Sequence, residues 1–189
     1  MTRALITPPA GLPVSLADLK AHLRIETGDE DDYLTSLLSA ATNHVEAVTG
    51  KALLAQGWRI YLDAFPPNCI VELAQGPLIS LDAVTVYDEA GQPVVIDPQD
   101  YDVDRHSEPA RLHFRQTPNP RRVFNGIEID ITIGYGEAGT DVPGQLLRAV
   151  MVLCAHWHAV RGAAEEAAVF GSIPKGLDAL VAPFRQVRL

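Results

Sequence analysis

Apolar side chains repeat at helical spacing in a first segment near the start of the chain. Ser15 and Asp18 form a capping box there, in which a hydroxyl and a carboxylate satisfy free backbone N–H groups at a helix start. We therefore predict a helix that begins at Ser15 and ends at Gly28, after an irregular segment over residues 1–14 that contains three prolines. Its apolar face consists of Leu16, Leu19 and Leu23.

A second helix is predicted over residues 31–49, with Gly50 in the position that follows a last helical turn. The acidic run at residues 29–32 fits the start of this helix, because carboxylates are favourable near the positive end of the helix dipole. The buried stripe of the helix is Leu34, Leu37, Leu38, Ala41, Val45 and Val48.

From residue 53 the apolar period changes from helical spacing to alternation. The clearest case is residues 127–133, where isoleucine at every second position builds one buried strand face. Glycine and proline turn signals separate the candidate strands, which is typical of an antiparallel sandwich or small barrel. The other predicted strands are residues 58–62, 70–73, 83–87, 94–96, 101–104 and 111–114.

Helical spacing returns after Asp141, with Pro143 in a first turn and Gly162 after the last one. Residues 163–171 are predicted to be a loop, or a helix that orders only against a partner, and residues 172–184 a last short helix. The apolar face of the third helix is Leu146, Leu147, Val150, Met151, Cys154 and Trp157, and that of the last is Leu177, Leu180, Val181 and Phe184.

This order of elements predicts an α+β fold in which the terminal helices form a small helical bundle with an inserted antiparallel β-rich sandwich or barrel-like domain. The predicted domains are a discontinuous helical one, residues 1–52 and 140–189, and a β-rich insert, residues 53–139.

The composition narrows the function. The net charge of −9 argues against broad nucleic-acid binding, yet it suits an acidic wall past which DNA slides.

No apolar run has the roughly 20 residues that a membrane span needs, so we expect no membrane contact and an intracellular location. Cys69 and Cys154 are predicted to be buried thiols rather than a disulfide.

The candidate chemistry is weak. Residues 134–139 spell G-x-G-x-x-G, but the alternating strand before them and the lack of a following strand do not fit a dinucleotide fold. His156 and His158 point to opposite sides of a helix and cannot share a metal. Asp100, Asp102 and Asp104 alternate on one predicted strand face, where solvation is more usual than catalysis. We therefore expect no catalytic residue, no cofactor and no metal.

The chain resembles phage head–tail connector (adaptor) proteins, as found in siphophages, prophages and gene transfer agents. The opening match is PVSLADLKAHLR, and the blocks follow one another in the family's order. The chain departs from the family at His158-Ala159, where an aromatic and an acidic residue often stand. The matching blocks are residues 13–24, 31–34, 46–53, 56–59, 62–66, 76–78, 101–104, 109–112, 134–136, 155–158 and 183–189.

The resemblance implies a non-enzymatic subunit of a ring, about dodecameric, that docks beneath the portal of a phage-like particle. Such a ring extends the DNA channel without reading DNA sequence, and it receives the next tail-side connector or stopper protein. The protein would reside in the host cytoplasm before assembly and at the head–tail junction afterwards. The candidate assembly contacts are Trp157, Phe184, Arg185 and Arg188.

Two other classes remain open from the residues. One is a small β module that binds a ligand or carbohydrate, although only 6% of the residues are aromatic. The other is an enzyme that uses the glycine turn at residues 134–139 or the aspartates at residues 100–104.

Overall fold

The computed structural model describes residues 2–73, 75–116, 119–161 and 173–185. The chain folds as two compact units, each built from two segments. A β unit comprises Met1–Ala10 and Ala55–Tyr135, and a helical unit comprises Gly11–Leu54 and Gly136–Leu189. The α+β class predicted from the sequence is confirmed.

The helical unit contains α1 (Leu16–Leu23), α2 (Asp31–Thr49), α3 (Gly144–Val160) and α4 (Leu177–Val181) in the part of the chain that the structure describes. Ser15 caps α1 as predicted, with its Oγ accepting a hydrogen bond from the Asp18 N–H at 3.0 Å. A short 3₁₀ turn, Ala182–Phe184, follows α4. None of the described helices is long and apolar enough to cross a membrane.

The core of the helical unit lies where α2 packs against α3, and α1 and α4 cover this pair. The apolar stripes predicted for α2 and α3 supply most of it, because residues spaced three and four apart share one helix face. Its fully buried members on these two helices are Leu34, Leu37, Leu38, Ala41, Val45, Leu146, Ala149, Val150, Leu153 and Cys154.

The β unit contains two antiparallel sheets. The five-stranded sheet has the order β1-β2-β8-β4-β5, and the three-stranded sheet has the order β3-β7-β6. The strands are β1 (Thr2–Thr7), β2 (Gln56–Leu62), β3 (Ile70–Leu73), β4 (Leu78–Tyr87), β5 (Pro93–Val95), β6 (Tyr101–Asp104), β7 (Ala110–Phe114) and β8 (Ile127–Ile133).

Strand β8 is the centre of the larger sheet. Its four isoleucines, at positions 127, 129, 131 and 133, are all buried, as their alternation predicts. In the smaller sheet, Phe114 packs edge-on against Phe65 and Tyr101, with ring centroids 4.5 and 6.0 Å apart. Aromatic pairs prefer this tilted geometry, so these rings add directional packing to the area they bury.

The structure corrects four local predictions. Residues 2–7 form β1, which pairs with β2, rather than an irregular lead-in. Helix α1 ends at Leu23 with Arg24 in the left-handed conformation, before Gly28 is reached. The sheets do not close into a barrel. The loop predicted for residues 163–171 lies outside the described residues, and the last helix is shorter than predicted.

Candidate interaction surface

Trp157, the first candidate contact, lies in the core of the helical unit. Its side chain is 2% exposed, and its ring meets His44 of α2 edge-on at a centroid distance of 5.9 Å. Its place on the same helical stripe as Leu146 and Val150 explains this position. A buried indole stabilises the unit and offers almost no surface to a partner.

Phe184 and Arg185 follow α4 and are accessible. Phe184 is half-buried, while Arg185 is exposed and binds the Asp178 carboxylate, with Nη2 2.6 Å from Oδ1. Both side chains of this ion pair are well solvated, so the pair contributes little stability. Arg188 lies outside the described residues.

The glycine turn is filled by the protein's own acid. The Asp141 carboxylate accepts a hydrogen bond from the Ala138 N–H at 3.0 Å, and it occupies the space that a Cβ on Gly136 would take. On Gly139, a Cβ would collide with the Pro13 carbonyl oxygen. These glycines therefore permit close packing within the chain, and a carboxylate stands where a nucleotide site would need to accept phosphate.

The aspartates of β6 are bound to arginines. Asp102 lies 2.7 Å from Arg115 Nη2, and Asp104 lies 2.6 Å from Arg111 Nη2. Hydrogen bonds hold the pKa of Asp104 well below its usual range. The bond from the Ser107 side chain has the largest effect, and the bond from Arg111 has the next largest. Asp100 is part of a 3₁₀ turn before the strand, so the predicted row of three carboxylates on one strand face is wrong. Paired, ionised carboxylates are poor proton donors at neutral pH.

The histidines of α3 likewise find partners within the chain. His158 Nε2 lies 3.2 Å from Glu30 Oε2, and Arg161 binds the other oxygen of Glu30. The Arg161 guanidinium also lies over the Tyr33 ring, 4.5 Å from its centroid. Hydrogen bonds from Arg161 and His158 lower the pKa of Glu30, and the bond from Arg161 has the larger effect. This cluster joins the end of α3 to the start of α2, and among the described residues no three metal-ligating side chains come together.

Two strands of the β unit carry exposed apolar side chains that the periodicity does not reveal. Leu5 and Ile6 on β1 are 45% and 54% exposed, and Val94 and Val95 on β5 are 50% and 68% exposed. A signal was present in the sequence, because adjacent apolar residues in a short strand cannot both face one core.

These observations define an α+β protein of two units. The polar clusters described above are bound within the chain, whereas strands β1 and β5 expose apolar side chains. This combination is typical of an assembly subunit.

Comparison with known proteins agrees with this class. The family model described as "Phage gp6-like head-tail connector protein" matches residues 13–87. The chain is also similar to three solved structures of gene transfer agent (GTA) particles over its whole length, whereas no curated protein sequence matches it. Over residues 13–87 the chain thus resembles the phage head–tail connector family.

The structural similarity is close in each case. A chain in the neck of an empty GTA particle computed with C6 symmetry is 29% identical, with a TM-score of 0.85. Chains in the virion of a native GTA particle and in its neck computed with C12 symmetry are both 28% identical, with TM-scores of 0.81 and 0.80. Each similarity covers 100% of this chain and 97% of the other.

Proposed function

We propose that this chain is a structural connector subunit in the neck of a phage-like particle, at the junction of head and tail. The observation that carries the proposal is the similarity to a GTA neck chain across 100% of this chain, with a TM-score of 0.85. The similarity includes both units, so it supports the function of the entire chain rather than of one shared domain.

The subunit acts as one copy in a ring. The similar GTA necks were computed with C6 and C12 symmetry, and rotational symmetry of this kind is that of a closed ring. We place about twelve copies in the ring, beneath a portal protein and above the next tail-side connector. The net charge of −9 suits a channel wall, because like charge prevents phosphates from binding while DNA passes.

The subunit performs no catalysis. The two polar groupings that the sequence offered for chemistry are occupied by internal partners, Asp141 in the glycine turn and two arginines on the β6 aspartates. Its proposed role is to bind neighbouring proteins in a fixed geometry, which requires a folded surface rather than a reactive group.

Deletion of the gene, followed by electron microscopy of the particles, tests this function. We expect DNA-filled heads without tails, and a plasmid copy of the wild-type gene should restore tailed particles. Normal tailed particles from the deletion strain would show that the chain is not the connector.

Phe184, Arg185 and Arg188 belong to the proposed contact with the portal. The support is the accessibility of Phe184 and Arg185 and the weak hold of Asp178 on Arg185. The variant Arg185→Glu should lower the yield of tailed particles. A matched control is Arg115→Glu, at another solvent-exposed ion pair, which lies in the β unit and should leave the yield unchanged. Equal yields from the two variants would remove Arg185 from the contact.

A further inference from the structure

The five-stranded sheet has two open edges, formed by β1 and β5. Within the part of the chain that the structure describes, each of these strands pairs on one side only, β1 with β2 and β5 with β4. Both edges expose adjacent apolar residues, Leu5 with Ile6 and Val94 with Val95. Natural sheets usually protect such edges with charges, prolines or covering segments, because an open edge pairs readily with another chain.

On β5 the exposed side chains lie on both faces of the strand. Successive side chains in a strand point to opposite faces, so Val94 and Val95 are exposed on opposite sides of the sheet. A partner that packed onto one face would cover only one of them. A strand lying alongside would contact both. On β1, Leu5 and Ile6 lie at a shift in the register with β2, where the regular alternation is interrupted but both side chains remain exposed.

The backbone of β5 also has a free hydrogen-bonding position. The Ile96 N–H donates to the Val84 carbonyl oxygen at 2.8 Å, which directs the backbone groups of Ile96 towards β4. Because these groups alternate in direction along an antiparallel strand, those of Val95 point away from the sheet. Pro93 points outward as well, so at this position the edge offers a partner strand a carbonyl oxygen but no N–H.

We propose that neighbouring copies of this chain join edge to edge, with β1 of one copy lying alongside β5 of the next. The proposal rests on the ring described under the proposed function. Four successive antiparallel pairings make β1 and β5 run in the same direction. A head-to-tail repeat therefore sets them side by side as parallel strands, and such a heterologous contact can continue around a closed ring.

Charge selects β1 as the occupant of the β5 edge. Residues 2–11 contain Arg3 and no acidic residue, whereas residues 88–100 contain four acidic residues and no Lys or Arg. One of the four, Glu89, is already bound to Arg121 at 2.8 Å, which leaves three. Two β5 edges would repel each other through these acids, while β1 brings the opposite charge.

Cysteine cross-linking in assembled particles tests the contact. In a Cys69→Ser background, the double variant Leu5→Cys/Val95→Cys should give a ladder of cross-linked species beyond the dimer on non-reducing gels. Neither single variant should give a ladder, because each has only one half of the contact. Particles that contain the double variant but yield no species larger than a dimer would overturn the edge contact.

A charge variant tests the edge contact a second time, without a cross-linking reaction. Leu5→Asp brings a carboxylate to the acidic β5 edge and should lower the yield of tailed particles at least tenfold. Val123→Asp is the matched control, because Val123 is 74% exposed in the same unit but lies in a loop. We expect Val123→Asp to resemble the wild type, and an equal loss in both variants, or in neither, would count against the edge contact.

The two proposals fail in different ways. If the wild-type subunit is absent from tailed particles, the connector function is wrong. If the wild type is present and required but neither cross-linking nor Leu5→Asp gives the expected result, only the edge contact is wrong.

Discussion

Arg59 binds Asp130 through two hydrogen bonds, with Nε 2.7 Å from Oδ1 and Nη2 2.9 Å from Oδ2. The two residues lie directly opposite each other on β2 and β8. Arg59 Nη1 also lies 2.9 Å from Glu128, whose side chain is only 12% exposed. One guanidinium therefore serves two carboxylates on the central strand of the sheet, a geometry that a lysine cannot reproduce.

Replacing Arg59 should destabilise the β unit. Arg59→Ala leaves Asp130 and the mostly buried Glu128 without their cation, and we expect the free energy of unfolding to fall by about 1–2 kcal/mol in urea titrations. Arg115→Ala is the control. It breaks an ion pair whose side chains are 59% and 58% exposed, and its effect should be clearly smaller because solvent screens the pair. Equal losses in the two variants would contradict the role of burial.

Trp157→Ala should destabilise the free subunit by about 3–5 kcal/mol, because it removes the largest buried side chain of the helical unit. Phe184→Ala removes a half-buried ring and should cost clearly less. Chemical unfolding of the purified proteins measures both. A Trp157→Ala protein with wild-type stability that failed only in assembly would instead make Trp157 a contact residue.

The Glu30 cluster should make stability depend on pH in the acid range. The pKa of Glu30 is lowered from its ordinary value of 4.5, so its bonds to Arg161 and His158 stabilise the folded state above pH 4.5. This contribution disappears as the pH falls through the lowered pKa. Urea midpoints of wild type and Glu30→Gln should differ at pH 7 and converge towards pH 3. Glu26→Gln, an exposed control with the same charge change, should follow the wild type at both pH values.

The two cysteines should differ in reactivity. Burial raises the pKa of the Cys154 thiol to about 12, and its Sγ contacts the Leu37 carbonyl oxygen at 3.7 Å in the core. Cys69 is only partly buried. Because the thiolate is the reactive form, a thiol reagent at pH 8 should label Cys69 in the folded protein and Cys154 only on unfolding. In Cys69→Ser, labelling should then require denaturant, and rapid labelling of the folded variant would contradict this placement.

The sequence predicts those elements whose stability comes from local periodicity. Helix α2 has the predicted bounds, residues 31–49, because its leucine stripe and Gly50 specify it locally. Strand β8 likewise follows from its alternating isoleucines. Strand β1 was predicted as irregular because nearby prolines dominate that segment, and its pairing with a strand some fifty residues later leaves no local signal.

The candidate contacts show the same limit at the level of side chains. From the sequence, Trp157 fits either a core position or a contact with a partner. Its packing against His44 in the structure identifies it as a core residue. The exposed edges of β1 and β5 depend on the order of strands in the sheet, which results from long-range pairing. Sequence periodicity identifies strands but not which of them lie at an edge.

The interleaving of the two units has a consequence during synthesis. Thr2 of β1 pairs with Tyr61 of β2, so β1 stays unpaired after its synthesis until α1, α2 and most of β2 have been translated. During this interval Leu5 and Ile6 belong to a strand with no partner in its own chain. When neighbouring copies are abundant at this stage, unpaired β1 can pair with another copy before its own chain has folded. The concentration of the subunit during synthesis therefore affects correct assembly.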